Sequence, residues 1–60
     1  MRHWLFECID ENSACEGEEF IVGADTYTEA REIAEDEFGE VKFWHELTDE
    51  EAEISGLDEY

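Results

Sequence analysis

Twenty of the sixty residues are aspartate or glutamate, and their spacing is the feature of this chain most able to do chemistry. Glu29, Glu32 and Asp36 recur at steps of three and four. On a helix this makes one row, with roughly 5 Å between neighbours at ~1.5 Å rise per residue. Glu35 and Glu40 flank the row, and Asp49, Glu50, Glu51 and Glu53 form a second cluster. A fixed array of charge at that spacing resembles, in its electrostatics, a nucleic-acid strand with a phosphate every ~3.4 Å. A protein that holds DNA through lysine and arginine can be occupied by such a surface. A solvated helix face that only keeps a small protein soluble has the same residue types. The formal net charge of −17, however, far exceeds the ~2–8 that suffices for a small domain.

The other reactive side chains are few. Cys8 and Cys15 flank one turn-forming stretch. Cys8 reads as a small core residue and Cys15 as a loop thiol, ahead of a disulfide across the turn and of a zinc site. Zinc needs four ligands, and the remaining donors of the usual type are His3 and His45; His3 falls on the strand face opposite Cys8. The loop from Asp10 matches a calcium loop at its first and third positions, Asp10 and Asn12. It then fails, with Ala14 at the fifth, Cys15 where glycine is needed and Ile21 where the bidentate glutamate belongs. There is no nucleophile elbow, no phosphate loop and no H-E-x-x-H, since His45-Glu46 stops at two residues. We expect no enzyme activity, no cofactor and no resident metal.

Composition bounds the partners. Three bases, Arg2, Arg31 and Lys42, oppose the acids. The balance argues against direct binding to nucleic acid or anionic membrane and for a basic partner, metal ions or a salty environment. The absence of an apolar signal core after Met1, and of any run of 18 apolar residues, leads to an expected cytoplasmic location with reduced thiols. The apolar fraction of 42% is too high for a disordered acidic tail. Sixty residues make one domain, which buries only ~60% of its unfolded surface.

The element that organises the chain is Thr26 to Gly39. Thr26 and Glu29 match a T-x-x-E capping box. Tyr27, Ala30, Ile33, Ala34 and Phe38 form one apolar stripe. Gly39 stands where a helix ends. Residues 2–9 read as a strand with Trp4, Phe6 and Cys8 on one face and His3, Leu5, Glu7 and Ile9 on the other. Residues 18–24 read as a second strand, with Phe20 and Val22 opposed to Ile21. Residues 40–47 read as a third, with Val41, Phe43, His45 and Leu47 on one face and Lys42, Trp44 and Glu46 on the other. Thr48 and Glu51 repeat the capping pattern and start a short helix over 48–55, ended by Gly56.

The expected fold is a small α+β domain of β-β-α-β order. Its three-stranded sheet has order 2-1-3 and is mostly antiparallel, with one helix on one face and a short C-terminal helix. The order 1-2-3 is the runner-up. Both sheet faces carry apolar residues. Either the segment with Ile54, Leu57 and Tyr60 folds over the second face, or that face is an association surface.

Small size, extreme acidity and a compact β-β-α-β body resemble the small acidic proteins encoded by bacteriophages. Several families of these block host or defence proteins by imitating DNA. The resemblance implies an inhibitor, in the host cytoplasm, that occupies a basic nucleic-acid-binding protein. Glu29, Glu32, Glu35, Asp36, Glu40, Asp49, Glu50 and Glu53 would make the electrostatic contact, and Trp44 on the aromatic sheet face would add specificity. The alternative is a homodimer or larger homo-oligomer, an accessory protein associating through that sheet face and the strand edges. A high-salt adaptation, unstable in dilute buffer, is a further reading.

Overall fold

A computed structural model describes all of residues 1–60. The elements run β1 (Arg2–Cys8), β2 (Glu19–Ala24), α1 (Tyr27–Phe38), β3 (Val41–Leu47) and α2 (Asp49–Ser55). The sheet has order β2-β1-β3, with β1 antiparallel to both neighbours. β1 takes the centre because it is apolar on both faces, and only a central strand has both faces covered.

The face built from Trp4, Phe6, Cys8, Phe20 and Val22 is closed by α1 through Ala30 and Ala34. Alanine in both positions lets the helix backbone sit close to the sheet. Of the larger stripe residues, Ile33 and Phe38 lie around that contact partly buried, and Tyr27 stays exposed at its margin. Tyr27 still packs edge-on to Trp4 and Phe43, at 5.9 and 4.9 Å between ring centres. Thr26 caps α1 by accepting from the Glu29 N–H at 3.2 Å. The capping box is only half made there, whereas Thr48 and Glu51 form both halves at α2.

The second face is aliphatic rather than aromatic. Leu5, Ile21 and Leu47 are buried there beneath Ala52 of α2 and Leu57. The terminal segment therefore covers this face, but not with the three residues expected. Ile54 is 76% exposed. Tyr60 turns to the other side and packs edge-on against Phe20 and Phe38 at 5.8 and 5.0 Å. Between Leu57 and Tyr60 the backbone runs parallel to β2 and closes its outer edge. The Ile21 N–H donates to the Asp58 carbonyl, the Tyr60 N–H to Ile21, and the Gly23 N–H to Tyr60, at 2.9, 2.7 and 2.9 Å.

β3 departs from the expected alternation. Leu5 pairs with His45 and Phe6 with Phe43, so Trp44 is the extra residue of a β-bulge. A bulge reverses the alternation beyond it. Val41 and Phe43 face α1, while His45 and Leu47 face α2, and the four do not share a face. Lys42 and Glu46 are separated in the same way. The bulge lets one strand serve both cores.

The β1–β2 connection is held by its own polar groups. Asp10 accepts from the Asn12 N–H at 2.9 Å through one carboxylate oxygen and from the Glu40 N–H at 3.4 Å through the other. Its carboxylate is thus committed to backbone. Gly39, at φ +86 and ψ −128, lies against that carboxylate, and a side chain there would meet it. Gly17 also has positive φ but faces open space. Gly39→Ala is expected to destabilise the fold by about 2 kcal/mol or more, and Gly17→Ala by about 1 kcal/mol. Chemical denaturation of the two variants measures the difference, and equal losses would contradict the packing around Asp10.

Candidate functional site

α1 buries one stripe, and everything that stripe leaves out faces water. Glu29, Glu32, Glu35, Asp36 and Glu37 are all exposed, as is Glu40 in the turn that follows. Arg31 is the single base among them and pairs with Glu35 at 3.7 Å. The last turn of α1 contains no base and carries Glu35, Asp36 and Glu37. Negative charge at a helix C-terminus opposes the helix dipole, at a cost of about 0.3–1 kcal/mol per group. Helix stability therefore does not explain these acids.

The second cluster has a structural explanation. Asp49, Glu50 and Glu51 occupy the first turn of α2, where the dipole favours anions. Glu51 also closes the capping box, accepting from the Thr48 N–H at 3.0 Å. The two clusters expected to act together lie on opposite sides of the sheet, one on α1 and one on α2. Glu29, Glu32, Glu35, Asp36 and Glu40 form one surface; Asp49, Glu50 and Glu53 belong to another.

Trp44 belongs to neither. The bulge turns it out of the sheet, 46% exposed. Its indole N–H donates to the Glu7 carboxylate at 3.2 Å. The Lys42 ammonium lies 4.3 Å from the ring centre, a cation–π arrangement.

The sequence places His3 on the strand face opposite Cys8 and carries no local sign of its partners. One ring nitrogen meets the Asp49 carboxylate at 2.7 Å and the other meets Glu59. A carboxylate only accepts, so both bonds exist together only when both ring nitrogens carry protons. The bonds to Glu59 first and Asp49 second raise the imidazole's pKa above its ordinary value, against the opposing effect of desolvation. His3, with its side chain 17% exposed, thus ties β1 to the start of α2 and to the terminal segment. It forms one wall of a pocket of about 260 Å³, with Ile21, Ala52 and Leu57 at the floor and Asp49, Glu53 and Glu59 at the rim.

The two carboxylates sit on opposite nitrogens of the ring and do not converge on a point. No group of three or more His, Cys, Asp or Glu side chains is arranged to hold a metal. Cys8 is fully buried on the α1 face, Cys15 is half-buried in the loop, and both are free thiols. Burial first, and then Glu18, push the Cys15 thiol up, which leaves less of the nucleophilic thiolate. No helix is long and apolar enough to cross a membrane. No protein family, curated protein or solved structure matches the chain.

The clamp has a definite pH dependence. A pKa raised by folding adds stability that is complete below the unfolded value, 6.5, and is lost as pH climbs through the folded value. The melting temperature is expected to fall as pH rises over that window, and His3→Gln should flatten the slope. Melting curves across the window, with an NMR titration of the His3 ring, measure both. A ring that titrates below the ordinary value would show that the clamp does not form.

Proposed function

We propose that this chain is a protein-binding inhibitor that occupies a basic, nucleic-acid-binding surface of a host or defence protein by imitating DNA. The observation that carries the reading is charge per length. The molecule measures 32 × 22 × 15 Å and carries a formal charge of −17. Duplex DNA carries one charge per ~1.7 Å of axis, or ~19 over that longest dimension. A surface built to receive duplex would meet a comparable charge on a comparable span.

The α1 face is the preferred contact, because the acids of its last turn, Glu35, Asp36 and Glu37, act against the helix that bears them. Glu29, Glu32 and Asp36 form its row, with Glu35 and Glu40 beside them. The α2 acids, which stabilise their own helix, need no partner to account for them. Trp44, turned out at the edge of β3, lies apart from that row, so the α1 contact is chiefly electrostatic, and long-range electrostatics steers association more than it discriminates. The likeness to small acidic phage proteins, and with it a cytoplasmic site of action, belongs to this same proposal.

The test is capture from a bacterial lysate at low and high salt, followed by competition with duplex DNA. The reading expects a nucleic-acid-processing protein that is retained at low salt and released by DNA. It fails if no salt-sensitive, DNA-displaceable partner is found. With the partner in hand, reversing Glu29, Glu32 and Asp36 together to lysine should weaken binding about a hundredfold or more. Reversing Glu50 and Glu53 on α2 should cost much less. The α1 variant should melt no lower than the parent: it relieves like-charge repulsion, and Asp36→Lys in the last turn offsets Glu29→Lys in the first.

A further inference from the structure

We infer that two copies of this chain pair antiparallel through the outer edge of β3, joining their sheets into one of six strands about a two-fold axis. The inference stands apart from the inhibitor reading and starts from the sheet's two edges. The edge at β2 is closed by the terminal segment, through the three backbone hydrogen bonds to residues 58 and 60. The edge at β3 has no strand beside it. Unpaired N–H and C=O groups along an edge are a template for another strand.

Charge selects the occupant. In a molecule of net charge −17, two copies can approach only where the charge falls away, and β3 is that place. Between Val41 and Leu47 the formally charged residues are Lys42 and Glu46. Glu46 is already matched by Arg2, whose guanidinium bonds both carboxylate oxygens at 2.6 and 2.7 Å. Two of the three bases in the chain therefore lie along this edge. With the two β1 side chains that reach it, Arg2 on Glu46 and Glu7 on Trp44, the strip is close to neutral. It also carries Trp44, 46% exposed, with Val41 and Phe43 only partly buried. A basic partner would gain little from a neutral strip when acidic faces lie on either side. A second copy gains from it, since it avoids the repulsion it meets elsewhere.

Antiparallel edge pairing about a two-fold axis normal to the sheet keeps corresponding faces on the same side. The two α1 helices would then share one face of the extended sheet and the two α2 helices the other. The acidic row of α1 would be presented twice on a single side.

Salt dependence separates this association from capture of a basic protein. Screening removes repulsion between like-charged copies, so the dimer should strengthen as salt rises. Binding of a cationic partner should weaken over the same range. Sedimentation equilibrium of the chain alone, from micromolar to millimolar concentration at low and high salt, reads the mass directly. A dimer that grows with salt is expected. Lys42→Glu should weaken it roughly tenfold or more, since it turns the near-neutral strip acidic on both copies. Arg31→Glu on α1 makes the same change in net charge away from the edge and should shift it by less than about twofold at high salt. Circular dichroism of each variant checks that the monomer fold persists. Hydrogen exchange supplies a second readout, with β3 amides more protected at high protein concentration. A monomer throughout, or equal effects of the two variants, would overturn the inference. The bulge and Lys42 would then be devices that keep the edge unpaired.

Discussion

Repulsion among twenty carboxylates is the condition under which every other part of this structure has to work. The chain is too short to answer it with a large core. It answers by making one strand serve two cores. β1 places Trp4, Phe6 and Cys8 toward α1 and Leu5 toward α2, so a single backbone segment organises both apolar layers. Apart from Glu7, Glu19 and Glu46 in the strands, the acids are left to the helices, the turns and the terminal segment, where water screens them.

The few cations are used where they bind elements together. Arg2 joins the first strand to the third through Glu46, and its guanidinium also covers the Trp4 ring at 4.7 Å. That contact holds the Glu46 carboxyl below its usual range, the hydrogen bond being the largest cause. His3, one residue on, joins the first strand to α2 and to the terminal segment. Both links begin in β1, so the central strand is the hub of polar contacts as well as apolar ones. Lys42 stays within its own strand, on the Trp44 ring, and Arg31 within its own helix, where an exposed pair of this kind contributes at most about 0.5 kcal/mol.

Much of this could be read from the residues. The alternation of Trp4, Phe6 and Cys8 against Leu5 marks a strand with two buried faces. Thr26 and Gly39 mark the limits of α1, and Thr48 marks the start of α2. Strand order follows once β1 must be central. Three things escaped. The bulge at Trp44 left no trace in the alternation, because Phe43 and Trp44 are both aromatic and either parity reads well. The strand-like end of the chain was hidden because Asp58, Glu59 and Tyr60 have no strand signature; they are held by hydrogen bonds to β2 that no local pattern encodes. The partners of His3 lie 46 and 56 residues away. The acidic rows themselves were legible from spacing, but their separation onto opposite sides of the sheet depends on which face the terminal segment covers.

The lone lysine has a practical consequence. Lys42 is the single ε-amine of the chain, and it rests on the Trp44 ring at the open edge of β3. Reagents that couple through lysine side chains, whether dyes, cross-linkers or immobilising surfaces, have one address here. A molecule tethered through Lys42 is held with β3 toward the support and both acidic faces toward solvent. The attachment also cancels a third of the chain's lysine and arginine charge and covers the least acidic strip of its surface. Binding measured in that orientation reports on the helices and is blind to the edge.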